Sequence, residues 1–218
     1  MSALPQLETE LAALYASPSQ ALPFAPSLHA RAFVLRREAG NLLVYSVADL
    51  ASTSAAFEGL GGVQRQYLGH WHEAMFAANR LDVPLFVHEA DRGQTEQRTE
   101  VAGTFSEGQT LDGDFEILPI PGHTPGATAY LWDSGQQRLL FTGDTIYLSD
   151  GEWVAAVLDS SDRDAYIESL ERLRELDFDV LVPWAATAGA PYYAVTDKGD
   201  AQRRIDAILE RVRRGESG

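Results

Sequence analysis

Apolar residues in the first half of the chain come in short runs rather than long helical stripes. Residues 32–36 and 42–47 are two such runs, parted by Glu38-Ala39-Gly40-Asn41. Together they predict a β-hairpin, because glycine and asparagine tolerate the positive φ of a tight turn. Residues 63–68 read as another strand and 84–87 as a buried one, with a helix over 73–80 between them. Ahead of these, the spacing over 7–15 predicts a short amphipathic helix, and the Pro and Ser cluster of 17–27 a loop. The second half opens with strands at 115–120, 127–132 and 138–141, joined by turns such as Asp133-Ser134-Gly135. The period then changes from strand to helix. Tyr166, Leu170 and Leu173 share one face of a helix at 163–176, with Ser160 or Ser161 as its N-cap. A short strand follows at 180–182, and Ile205, Ile208, Leu209 and Val212 repeat the helical spacing over 201–212. Two strand-rich halves with flanking helices predict a four-layer α/β sandwich.

At 218 residues the expectation is one domain with a full core, and 45% hydrophobic against 22% charged residues is ordinary for a soluble protein. No apolar run approaches the ~18 residues of a membrane span, so no membrane partner is expected. Residues 1–10 are acidic, without the basic start and apolar stretch of a secretory signal, which makes the cytoplasm the expected location. The net charge of -15 would repel a phosphate backbone, so nucleic acid is not expected as a partner; the expected partner is a small-molecule substrate. There is no cysteine, which removes thiolate nucleophiles and ligands, so any metal must be held by His, Asp or Glu. Lys198, the only lysine, lies in a polar Asp-Lys-Gly-Asp turn and is discounted as a Schiff-base former.

Chemistry is concentrated in three segments: Gly69-His70-Trp71-His72, Pro121-Gly122-His123-Thr124-Pro125-Gly126 and Phe141-Thr142-Gly143-Asp144-Thr145. In an extended segment His70 and His72 point to the same side and can face one ion. Glycines and prolines around His123 make a rigid turn able to present an imidazole at a strand end. Asp144 follows Gly143, whose missing side chain leaves room for close approach. The plainer reading is three polar loop histidines and an aspartate capping its own turn; the ordered set favours a metal site. Glu73 is a first-turn carboxylate suited to the helix dipole, with a base or extra ligand as its sharper role. His29 and His88 are read as structural. Trp71, Trp153, Tyr147, Tyr192 and Tyr193 are candidates for a substrate cleft, and Gly59-Leu60-Gly61-Gly62 is a turn.

From about residue 31 to 182 these segments resemble the metallo-β-lactamase superfamily, the Pro-Gly-His-Thr-Pro-Gly and Thr-Gly-Asp-Thr motifs being the specific ones. The resemblance implies an αββα sandwich, with His70, His72 and His123 as ligands to one metal and Asp144 as the usual bridge to a second. It also exposes departures. The family's His-x-His-x-Asp-His continues here as Ala74 and Met75, and its last Pro-Gly-His segment is Pro183-Trp184-Ala185. All three losses fall on one metal position, and Met75 and Trp184 are expected to fill the vacated space. A single Zn2+ on three neutral imidazoles, with one open position, would bring the pKa of water to about 7 and serve a hydrolase of esters, thioesters, lactones or amides. In that scheme Asp144 binds or orients and Glu73 acts as base. His70, His123 and Asp144 could instead form the two-His, one-carboxylate face of an Fe2+ dioxygenase. The other alternative is a noncatalytic binding protein that has lost its metal. A homodimer is a further expectation.

Overall fold

The computed structural model describes residue 11 and residues 13–216. One six-stranded sheet runs, in spatial order, β1 (Leu14–Ala16), β4 (Phe33–Leu35), β5 (Leu42–Val44), β6 (Arg65–Tyr67), β7 (Leu85–His88) and β8 (Gly103–Phe105). A second runs β17 (Ala194–Val195), β15 (Val180–Val182), β12 (Arg138–Phe141), β11 (Thr128–Asp133), β10 (Phe115–Pro119) and β9 (Gln109–Leu111). A smaller sheet joins β14 (Glu152–Val154), β13 (Tyr147–Ser149), β16 (Ala185–Thr187), β3 (Ala25–Ala30) and β2 (Gln20–Leu22). The helices are α1 (Ser54–Gly59), α2 (Glu89–Thr95), α3 (Arg163–Glu175) and α4 (Lys198–Arg213).

The two large sheets face one another through aromatic rings. Phe33 of β4 meets Phe141 of β12 at 6.0 Å between centroids, and Tyr67 of β6 meets Phe115 of β10 at 5.5 Å. Burying such rings against each other, together with the aliphatic residues between them, favours this middle layer. α2 packs on β7 and β8. On the opposite side α3 and α4 lie together, and their apolar faces (Tyr166, Leu170 and Leu173; Ile205, Ile208, Leu209 and Val212) join the same buried cluster as both sheets. The result is the expected helix, sheet, sheet, helix order. Among the described residues no helix is long and apolar enough to cross a membrane.

Several expected elements are corrected. Leu14 and Tyr15 belong to β1 rather than a helix, because backbone pairing with β4 (Leu14 opposite Leu35) satisfies that segment better than a lone helical turn; most of the rest of 7–15 lies outside the described residues. The 17–27 loop contains β2 and the first half of β3. Proline is tolerated there because β3 joins β16 only through Leu28, His29 and Ala30, beyond Pro26. The helix expected over 73–80 begins earlier and is of the tighter 3-10 type, Trp71–Asn79. α3 is capped by Asp162, whose side chain accepts from Ala165 N at 3.0 Å, not by Ser160 or Ser161. A carboxylate there also complements the positive end of the helix dipole. Ser161 instead donates to the His123 carbonyl at 3.2 Å.

The smaller sheet continues the second one across a gap. β12 and β15 are a parallel pair that ends with Phe141 beside Val182, and the same two chains pair again in parallel as β13 and β16, at Leu148 and Ala186. Between these two ladders the backbone opens into the Gly143-Asp144 and Pro183-Trp184 loops, held together by Trp184 N donating to Gly143 O at 3.2 Å. The candidate site sits at this opening.

Candidate metal centre

His70 follows β6 and stands in extended backbone (φ -167, ψ 161) as the residue before the Trp71–Asn79 turn. The expected extended His70-Trp71-His72 segment is therefore corrected: the chain enters a 3-10 turn directly after His70. This bend still aims His72 at the same centre, with ring centroids 5.2 Å apart. His123 arrives from the loop after β10. Its Nε2 lies 3.1 Å from His72 Nδ1, and its Nδ1 donates to the Ala156 carbonyl at 2.7 Å. That bond fixes the tautomer and leaves the Nε2 lone pair facing the centre.

One ligand atom from each of His70, His72 and His123 lies within 4.8 Å of the other two. Asp144 Oδ2 joins them, 3.4 Å from His70 Nε2 and 3.8 Å from His123 Nε2. Gly143 makes the approach feasible. Its φ is +58, and a Cβ there would stand 3.3 Å from His70 Nδ1. Both nitrogens of His70 are buried without a hydrogen bond of good geometry. Glu73 Oε1 stands beside Nδ1, at 3.2 Å, and Nε2 faces the cluster, where a cation would take it as a ligand atom in place of a proton shared with Asp144. Three nitrogens and a carboxylate oxygen are a suitable donor set for zinc.

Charge at the centre follows from burial and neighbours. Burial opposes a proton on His70, but the Asp144 carboxylate, with Glu73 behind it, outweighs that and pushes the imidazole up to about 10. His72 is held down to about 3 by burial and then by His70 and His123, and His123 down to about 4 by burial and His70. Burial also works against ionised Asp144, but His70 and the other two imidazoles keep it below the usual carboxylate range. The cluster thus favours one positive charge at its middle and keeps two imidazoles neutral, the form that binds metals.

Glu73 does not join the cluster facing the cavity. Its carboxylate is turned into the loop, where Oε1 accepts from Gly69 N (2.7 Å) and His70 N (3.2 Å) and Oε2 accepts from Ser46 N (2.9 Å). With both oxygens occupied and no exposure to solvent, it has no free lone pair directed at a substrate, against the expected base. Its Oε1 also lies 3.2 Å from His70 Nδ1, so it steers the ring.

A second buried carboxylate, Asp91 on α2, carried no signal in the sequence. Oδ2 accepts from Trp71 N (3.0 Å) and Thr124 Oγ1 (2.7 Å), and Oδ1 from Gly126 N (2.8 Å). It therefore ties the His70-His72 turn to the His123 loop. Gly126 is required beside it, since a Cβ would approach the Asp91 carboxyl carbon to 2.6 Å. Tyr45 and Tyr166 brace the Asp144 loop: Tyr45 Oη accepts from Gly143 N at 2.8 Å, and Tyr166 Oη donates to Thr145 O at 2.6 Å.

On the other side of His70, Trp184 is buried, its ring 5.3 Å from that of His70 and its Nε1 donating to Ser46 O at 2.8 Å. It fills space as expected. Met75 does not: it is 37% exposed and stands at the rim of a cavity of about 560 Å³ that opens onto His72, His123 and Asp144. Trp71 and Tyr147 line this cavity. Trp153 and Tyr192 are buried elsewhere, and Tyr193 packs on Tyr192. His88 caps α2 by accepting from Ala90 N, and His29 pairs with Ser19.

A family model described as metallo-beta-lactamase superfamily matches residues 64–185. No curated protein matches the chain. Among solved structures it is similar to a metallo-beta-lactamase from Pontibacter korlensis, 15% identical, with a TM-score of 0.69 over 94% of this chain and 98% of that one. A metallo-beta-lactamase from Hirschia baltica is 14% identical, with a TM-score of 0.69 over 94% and 97%. The DIM-1 metallo-beta-lactamase exposed to ceftazidime is 14% identical, with a TM-score of 0.70 over 94% and 96%. At these identities the likeness carries the fold, and the chemistry rests on the site.

Proposed function

The chain belongs to the metallo-β-lactamase superfamily, and from that premise we propose that it is a hydrolase using one metal ion, zinc, to cleave an ester, thioester, lactone or amide of a small molecule. The observation that carries this reading is the convergence of His70, His72 and His123 on one point while Trp184 fills the space beside them. Zn2+ held there would supply Lewis acidity and a nucleophile at neutral pH.

The chain's own residues do the rest. His123, its Nδ1 proton committed to Ala156 O, offers only Nε2 to the centre. Glu73 and Asp91 hold the two histidine loops in register through backbone amides, so little reorganisation is needed on loading. Asp144, kept ionised, accepts a hydrogen bond from a water entering the cavity and can orient it toward a substrate carbonyl.

Elemental analysis of untagged protein alongside His123→Ala tests the proposal, with ester, thioester and lactone hydrolysis measured on both. The expected result is near-stoichiometric zinc and hydrolysis in the wild type, both lost in the variant. Metal content unchanged by the substitution overturns the ligand assignment. Asp144 lies near both His70 and His123, the donor set of a mononuclear Fe2+ site, so iron in place of zinc would favour the dioxygenase reading. Absence of any metal after supplementation would favour a noncatalytic binding protein.

A further inference from the structure

The cavity above the histidines is built from two unlike materials. Among the described residues four large hydrophobic side chains are exposed, and three of them, Phe24, Met75 and Leu158, line this one opening. Scattered apolar residues on a surface need no explanation, but convergence on a concave site does. Leu22, Leu28 and Val157 continue the apolar wall inward. Arg98 is the single lysine or arginine on the lining, and it lies close enough to His72 to act on its charge. Its guanidinium has no ion pair among the described residues, on a chain whose net charge is -15. In such a field an uncommitted cation at a cavity wall is a local attraction for an anion, and a guanidinium matches a carboxylate in two-pronged geometry. A volume near 560 Å³ suits a small ligand rather than a folded partner.

We infer that the substrate is a small amphipathic carboxylate, its apolar arm lying against Phe24, Leu158 and Met75 and its carboxylate on Arg98. This rests on the hydrolase reading only for the bond that is cut; recognition of the ligand does not require it.

The test is calorimetric binding of octanoate, octan-1-ol and octyltrimethylammonium to metal-free protein, so that direct ligation of metal by the carboxylate plays no part. Octanoate is expected to bind about tenfold more tightly than the alcohol, and the cation more weakly than either. Arg98→Gln should bring octanoate level with the alcohol and leave the alcohol unchanged. Phe24→Ser and Leu158→Ser should weaken both, by roughly three- to tenfold each. Equal binding of octanoate and octanol, or a preference untouched by Arg98→Gln, overturns the anionic half. Absence of binding by either, or binding indifferent to the two serine variants, overturns the apolar half. Binding as expected without hydrolysis by the zinc-loaded protein would overturn the proposed reaction and leave this inference standing.

Discussion

The two sides of His70 are built on opposite principles. On one side His72, His123 and Asp144 converge, and every loop that carries them is tied down by buried polar contacts: Glu73 to Gly69 and Ser46, Asp91 to Trp71 and Gly126, Tyr45 to Gly143. On the other side Ala74 is buried and the Trp184 indole packs on His70 and Phe76, while Met75 and Ala185, at the other two departures from the family motifs, border the cavity. Buried carboxylates are costly unless fully bonded, and Glu73 and Asp91 each accept three hydrogen bonds that fix the histidine loops. The second side spends its volume on packing. The supporting bonds behind the histidines remain, and of the altered positions Trp184 and Ala74 are packed while Met75 and Ala185 border the cavity.

The comparison can be broken first at Asp91. Asp91→Ala removes the two oxygens that accept three hydrogen bonds, and an unfolding titration should show a loss of about 3 kcal/mol or more together with loss of metal. A loss of metal without loss of stability would mean that Asp91 contacts the ion rather than the loops. The filled side breaks differently. Trp184→Ala should cost about 3 kcal/mol through the cavity it leaves and the unpaired Ser46 carbonyl, with metal retained. Restoring ligands as Ala74→Asp, Met75→His and Ala185→His should leave the metal content at one equivalent while Trp184 is present, and a second equivalent should appear only when Trp184→Gly is added. Uptake of two ions by the triple variant alone would show that the indole is not what closes that half.

Smaller effects sharpen the contrast. Glu73→Gln keeps the shape but turns one of the two acceptor oxygens into an NH2 facing a backbone N–H, and should cost about 1–2 kcal/mol with a roughly tenfold weaker metal affinity by competition with a chelator. A large drop in kcat with metal content unchanged would return Glu73 to the role of base. Met75→Ala, at an exposed rim, should change stability by less than about 0.5 kcal/mol and act only on KM.

The metal-facing side was legible because its chemistry is local in sequence. His70 and His72 stand one residue apart, His123 sits in its glycine-proline turn, and Gly143 precedes Asp144, so residue type and spacing alone announced them. The second-half helices and the central strands were legible for the same reason, since 3.6-residue and two-residue periods are local properties. What failed was set at a distance. Leu14 and Tyr15 became a strand because β4 offered hydrogen-bond partners about twenty residues away. His72 entered a 3-10 turn because the loop is held from behind by Glu73. Asp91 and Tyr45 act through bonds across 20 to 98 positions of chain, which no local window contains.

By itself the sequence determined which groups can bind a metal, that no thiolate is among them, and which family ligands are gone; these are properties of composition and short spacing. Only the tertiary structure decided that Glu73 faces the loop rather than the cavity, that Trp184 is packed while Met75 lines a rim, and that Phe24, Leu158 and Arg98 share one opening. Direction and solvent access depend on what packs behind each side chain, and in this chain those neighbours come from distant strands.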